Sequence, residues 1–149
     1  MLAAALAVLL VVAVATDIRA RIIPNWLNAA IALLALPWWF ALGFGLPEVG
    51  IQIALFAGAL LLFAGTFAIG MMGGGDVKMI AALALWMPPA LFGEMLVWMA
   101  LAGGVLTIVM LARHRWQRAE GRPEIPYGVA ISVASLLVMA NDILTAPAA

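Results

Sequence analysis

Charged residues divide the chain into long apolar runs. Six stretches contain no Asp, Glu, Lys or Arg: 1–16, 22–47, 49–75, 79–93, 95–112 and 125–141. A helix needs roughly 20 apolar residues, within about 17 to 25, to cross a bilayer. The second and third runs exceed this length and the last two reach it, whereas the first and fourth are short. The pattern predicts an all-α polytopic membrane protein, a bundle of about six transmembrane helices that forms a single transmembrane domain over 1–149.

An aspartate lies directly after the first short run and three positions before the fourth. If the first helix continues through Asp17 to Ile23, the residue before a proline, it reaches roughly 33 Å at ~1.5 Å per residue. The fourth helix is expected to start near Val77 and to kink or end at Pro88. Asp17 would then lie within a helix, and Asp76 at the start of one.

The basic residues predict how the helices cross. If the N-terminus lies outside and every run crosses once, all seven basic residues fall on one side, which is the positive-inside pattern. They are Arg19, Arg21, Lys78, Arg113, Arg115, Arg118 and Arg122. The first of them follow the first apolar run, the reverse of the order in a secretory signal. We therefore expect a multi-pass inner-membrane protein with a retained first helix and both termini outside, in the periplasm.

Composition excludes several function classes. The chain is 68% hydrophobic and 9% charged, far below the about 25% charged residues of soluble domains, so the lipid bilayer is an expected partner. Seven basic and seven acidic residues cancel, which argues against a nucleic-acid-binding surface. Without cysteine there is no thiol chemistry, and the single histidine, His114, is too few for a His-based metal site. No metal and no cofactor is expected.

Tryptophans stand near the ends of the predicted helices. Such residues often anchor a membrane protein at the interface between hydrocarbon and water. They are Trp26, Trp38, Trp39, Trp86, Trp98 and Trp116. We expect all of them to be interfacial anchors.

Asp17 and Asp76 are the residues best suited to chemistry. Both fall at the cytoplasmic ends of apolar runs, where an ionisable residue is costly and is by default a functional hypothesis. Structural alternatives stay open: Asp17 would pair with Arg21, four residues further along the same helix, and Asp76 would cap the fourth helix. Lys78 would orient a peptide or extend to the interface.

Three glycines, Gly73, Gly74 and Gly75, stand directly before Asp76. Glycine ends helices easily and lets backbone approach another backbone or a substrate closely. Non-helical backbone at membrane depth is tolerated where it lines a cavity. The triplet is therefore expected to break the third helix beside a polar pocket.

Three short segments follow one another in an informative order. They are 17–25 (DIRARIIPN), 73–76 (GGGD) and 125–131 (IPYGVAI). In turn, they resemble the first aspartate motif, the Gly-x-Gly-Asp motif and the Pro-aromatic-Gly stretch of the type IV prepilin peptidases, which are GxGD intramembrane aspartic proteases. Lys78 follows the second motif as it often does there, and Pro126, Tyr127 and Gly128 carry the third. The short length is similar to the small branch that processes prepilins of tight-adherence (Flp) pili.

The resemblance implies an intramembrane aspartic endopeptidase with Asp17 and Asp76 as its catalytic pair. It implies that Arg21, Lys78 and the segments 73–75 and 126–128 support the pair or bind the substrate. The implied partner is a prepilin, whose short basic leader is removed at the cytoplasmic face after a glycine and before the hydrophobic helix. Two neighbouring carboxyls tend to share one proton, so that one activates water and the other donates to the scissile carbonyl. Which aspartate has which role stays open.

Other functions stay open as well. Larger members of the family carry a cytoplasmic insertion with paired Cys-x-x-Cys motifs, and many methylate the new N-terminus of the pilin. This chain has neither cysteines nor room for that insertion, which leaves N-methyltransferase activity open. A small ion- or proton-coupled transporter or a non-catalytic membrane assembly subunit would also use two aspartates. The chain shows no convincing internal repeat of the kind found in transporters, which favours the protease.

Overall fold

The computed structural model of the protein describes residues 1–116 and 125–145, and these residues form helices and short connections without strands. The helices are α1 Leu2–Ala20, α2 Asn25–Ala41, α3 Leu46–Ala68, α4 Gly74–Ala84, α5 Pro89–Trp116 and α6 Tyr127–Thr145. Four of them, α1, α3, α5 and α6, are long and apolar enough to cross a membrane. The predicted all-α polytopic membrane protein is thereby confirmed.

The short helix α4 lies at the centre of the bundle. It contacts α2, α3, α5 and α6, while α1 packs against α2 and α6. Every residue from Met79 to Met87 is buried. Large apolar side chains on the outer helices, such as Leu61 and Ile108, are instead exposed, as lipid-facing positions are. The apolar character of the fourth run therefore reflects burial within protein on all sides.

The fourth helix differs in its bounds from the sequence-based expectation. It has 11 residues, which is about 17 Å at ~1.5 Å per residue, roughly half of the hydrocarbon thickness. It begins at Gly74 and not near Val77, and it ends at Ala84, before Pro88. The chain then turns, with the N–H of Trp86 bonded to the Leu83 carbonyl at 3.0 Å. Surrounding helices shield these turn carbonyls and amides from lipid, so a full-length span is not required.

The first helix ends earlier than expected. Arg21 adopts a left-handed backbone conformation (φ 55°, ψ 32°), so α1 stops at Ala20 and not at Ile23. The N–H of Arg21 bonds to the Asp17 carbonyl at 2.9 Å and satisfies one of the last acceptors of the helix. Asp17 lies in the last turn of α1, as predicted.

The glycine triplet begins a helix and does not end one. The break after α3 occurs at Gly70, whose left-handed conformation (φ 72°) only glycine adopts easily. Gly73 is the residue that caps α4, and Gly74 is the first residue of that helix. The expectation that the triplet breaks the third helix is therefore wrong. Asp76 is accordingly the third residue of α4 and not its N-cap residue.

Two tryptophans that were expected at the interface belong to the core. Trp39 and Trp86 are 8% and 3% exposed. Their indole N–H groups donate to the carbonyls of Leu85 at 2.6 Å and Ile31 at 2.9 Å. Each ring also contributes a large apolar area to the contact between α2 and the turn that follows α4. These two residues therefore join helices and do not anchor the protein to the interface.

Candidate functional site

A polar cavity opens at one end of the bundle, with a volume of about 660 Å³. The end of α1, the α3–α4 connection and the beginnings of α4 and α6 form its walls. Its lining residues are Asp17, Ala20, Arg21, Gly70, Met71, Met72, Gly73, Asp76, Ile125 and Tyr127. The fold thus brings the two aspartates, which lie on different helices, to the same cavity.

The carboxylate of Asp17 is bound by the beginning of α6. Asp17 is 5% exposed, and its Oδ2 accepts the backbone N–H of Val129 at 3.2 Å. The N–H of Gly128 donates to the same carboxylate. These N–H groups belong to the first turn of α6, where unpaired donors and the helix dipole attract negative charge. An aspartate of α1 therefore caps α6, which holds its side chain in one place.

Gly128 permits this close approach of α6 to Asp17. A Cβ atom at this position would lie 2.8 Å from Oδ2 of Asp17 and 2.7 Å from Cδ1 of Ile23. Both distances are shorter than real Cβ contacts, so any side chain here would displace the carboxylate. Pro126 is buried just before α6 and does not line the cavity, whereas Tyr127 does.

The carboxylate of Asp76 is held by its own helix start. Gly73, the residue before α4, donates its backbone N–H to this carboxylate, which is one half of a capping box. A Cβ on Gly73 would lie 2.9 Å from Oδ2 of Asp76. The charge of Asp17 also acts on Asp76, so the two carboxyls are electrostatically coupled. The alternative that Asp76 is the N-cap residue of the fourth helix is therefore wrong: Asp76 acts on the helix start from the third position of α4, and it lines the cavity.

Gly74 and Gly75 do not line the cavity but allow α4 to pack closely. A Cβ on Gly74 would lie 3.3 Å from Cε2 of Phe67 in α3. One on Gly75 would lie 3.1 Å from both Cβ and the carbonyl oxygen of Ile23. The last two glycines of the triplet therefore bring the start of α4 against α3 and against the connection that follows α1.

The two basic residues predicted for the site, Arg21 and Lys78, differ in their position relative to the cavity. Arg21 lines the cavity, and its positive charge attracts the Asp17 carboxylate. Lys78 does not line it: its Nζ donates to Oδ1 of Asn25 at 2.8 Å, in an exposed contact. Arg21 is thus placed to act on the carboxyl pair, whereas Lys78 links the starts of α2 and α4.

Several residues at the site were not singled out by the sequence pattern. Met71 and Met72 line the cavity, and nothing in their chemistry marks them except their place before the glycine triplet. Asn28 is 5% exposed and donates to the backbone of Gly75. It carries a usable signal, because it is a polar residue within an apolar run, three positions after Asn25 and so on the same helix face.

The pair of carboxyls in the cavity is suited to acid–base chemistry. Two carboxyls share it, one bound by two backbone N–H groups and the other by one. Such a pair can hold a water molecule, take a proton from it and return a proton to a second group. Within 1–116 and 125–145, no three His, Cys, Asp or Glu residues are grouped so as to hold a metal ion.

Comparison with known proteins gives one match. The model of a protein family described as the type IV leader peptidase family matches residues 4–110. The matched range contains both aspartates and the glycine triplet and ends before α6. No curated protein and no solved structure matches the chain.

Proposed function

The chain belongs to the type IV leader peptidase family, and from this membership we propose that it is an intramembrane aspartic endopeptidase whose catalytic pair is Asp17 and Asp76. Membership of the family makes the chain a peptidase, and its four long apolar helices suit a membrane protein. One observation carries the proposal: α1 and α4, which both lie in the matched range, bring the two aspartates to a single polar cavity.

The surroundings of the two carboxyls support different roles for them. Neighbouring carboxyls do not both ionise readily. Asp17 accepts two backbone N–H groups and attracts Arg21, whereas Asp76 accepts one N–H group. These contacts favour the negative charge on Asp17 and the shared proton on Asp76.

The reaction then follows from these two protonation states. Asp17 takes a proton from a water molecule, whose oxygen attacks the carbonyl carbon of the scissile peptide. Asp76 gives its proton to the carbonyl oxygen, which forms a neutral tetrahedral intermediate. When the C–N bond breaks, Asp17 returns its proton to the leaving nitrogen, and Asp76 recovers a proton from the intermediate.

The proposed substrate is a type IV prepilin of the tight-adherence (Flp) class, as the motif resemblance implies. Cleavage would remove the basic leader after a glycine, ahead of the hydrophobic helix. Arg19 and Arg21 lie at the end of α1 that borders the cavity, so the positive-inside rule favours a cytoplasmic cavity. The proposal therefore includes an inner-membrane location with both termini in the periplasm.

The test of the catalytic pair uses co-expression with a candidate prepilin and mass spectrometry of the pilin N-terminus. We expect Asp17→Asn and Asp76→Asn each to abolish leader removal, and the double variant to be hardly worse, because the two act as one unit. Asn at 76 still has an oxygen for the Gly73 N–H, so α4 should form. Asp142→Asn is the matched control, since this exposed carboxyl lies near the end of α6, outside the cavity. Normal processing by Asp76→Asn at an unchanged protein level would refute the proposal and favour a transporter or a structural subunit.

The proposed orientation has its own test, and the cysteine-free chain is a clean background for it. A cysteine at Ala3 should react with an impermeant thiol reagent once the outer membrane is permeabilised. A cysteine at Arg115 should react only after the inner membrane is opened. Labelling of position 115 from outside would contradict the orientation without affecting the catalytic pair.

A further inference from the structure

The beginning of α2 holds the backbone directly before Asp76. Asn28 lies at the end of the first turn of α2 and is 5% exposed. Its Nδ2 donates to the carbonyl oxygen of Gly75 at 3.1 Å, across 47 positions of the chain. This bond links α2 to the peptide group that joins Gly75 to Asp76. Any shift of that carbonyl therefore changes the direction of the Asp76 side chain.

The local sequence does not by itself hold the start of α4 in place. Glycine is the poorest helix former after proline, and three glycines precede Asp76. The first turn of α4 therefore depends on contacts from outside. Gly75 has such contacts on two sides: the amide of Asn28, and Ile23, which an added Cβ would meet at 3.1 Å. Both contacts come from the segment that follows Asp17 in the chain.

The bond from Asn28 differs from the neighbouring contact of Asn25. Asn25 accepts from Lys78 in an exposed contact that water can replace. Asn28 is buried, and its Oδ1 has no hydrogen-bond partner among the described residues. A buried carboxamide whose oxygen has no hydrogen-bond partner destabilises a fold. Leucine would be the more stable residue at an apolar position that had no other task.

We infer that Asn28 is a positioning residue for Asp76. The inference rests on the proposed function, because it concerns the geometry of the proposed catalytic pair. Asn28 does not line the cavity, so it acts on the reaction through Gly75 and not through the substrate. A carboxyl that is slightly misdirected still allows the peptide to bind but slows the proton transfers. Loss of the bond should therefore lower kcat and leave KM nearly unchanged.

The variant Asn28→Ser tests this inference. A serine hydroxyl is too short to reach Gly75, and within a helix it bonds to a carbonyl four residues back, as Ser132 and Ser135 do in α6. The variant thus removes the hydrogen bond to the Gly75 carbonyl without leaving an unpaired polar group on the new side chain. Gln52→Ser is the matched control, because Gln52 is a carboxamide of α3 that is 3% exposed and does not line the cavity.

The assay measures cleavage of a purified prepilin by the purified full-length enzyme in detergent. We expect Asn28→Ser to lower kcat by at least about tenfold with KM within about twofold, and Gln52→Ser to change either by less than about twofold. A folded Asn28→Ser enzyme with wild-type kcat would overturn the inference. If this variant is poorly folded, Asn28→Ala replaces it with the same expected and opposing results.

A second measurement does not depend on catalysis. Amide hydrogen exchange in the peptide 73–78 should be faster in Asn28→Ser than in the wild type, and unchanged in Gln52→Ser. Unchanged exchange in Asn28→Ser would also overturn the inference. Failure of the wild type itself to cleave prepilin would count against the proposed function, and the exchange data would still decide whether Asn28 holds the start of α4.

Discussion

The substitution Gly128→Ala directly probes the contact between α6 and Asp17. The added methyl would lie 2.8 Å from Oδ2 of Asp17 and 2.7 Å from Cδ1 of Ile23. Both atoms are the far ends of side chains that can turn away, so the bundle should still fold. The Asp17 carboxylate, however, must leave its place beside the N–H groups of Gly128 and Val129.

The size of the effect follows from those hydrogen bonds. A hydrogen bond to a charged group contributes about 1.5–3 kcal/mol. If the displaced carboxylate loses one of these two hydrogen bonds and must return to its original position to react, the activation barrier rises by a similar amount. At about 1.4 kcal/mol per factor of ten, kcat should fall roughly 10- to 150-fold.

The assay compares kcat for prepilin cleavage with the thermal stability of the same preparations. Gly104→Ala is the matched control, since a Cβ on this glycine of α5 meets no atom within 4 Å. This control should change kcat by less than about twofold, because the added methyl meets no neighbouring atom and alanine is a better helix former than glycine. A folded Gly128→Ala enzyme with kcat close to that of Gly104→Ala would refute the conclusion that α6 positions Asp17.

Three further substitutions test other contacts. Gly73→Ala places a Cβ 2.9 Å from Oδ2 of Asp76 and should lower kcat by about tenfold or more, with KM nearly unchanged; wild-type kcat would contradict this. Lys78→Ala removes an exposed contact, so kcat should stay within about threefold of wild type, and a larger loss would assign Lys78 a role at the reaction. Trp39→Phe leaves the Leu85 carbonyl without its indole donor and should lower the free energy of unfolding by about 1–3 kcal/mol, measured by denaturant titration, with unchanged specific activity.

The sequence by itself determined the class of fold and the residues worth testing. Lipid excludes charged side chains and unpaired backbone groups, so long runs without charge predict helices wherever they occur. The same cost makes Asp17 and Asp76 conspicuous at the ends of such runs. The triplet before Asp76 and the 126–128 segment were also identified from the sequence, since their order resembles a known motif set.

The tertiary structure decided how these residues meet, because that depends on contacts between helices far apart in the chain. Hydropathy does not distinguish burial in protein from burial in lipid, so the apolar fourth run did not reveal that α4 is a short central helix. Helix propensity placed the break at the glycine triplet, whereas Gly70 ends α3 and the triplet packs α4 against its neighbours. Only the packing of α6 on α1 supplies donors to Asp17, and only the packing of α2 on α4 brings Asn28 to Gly75.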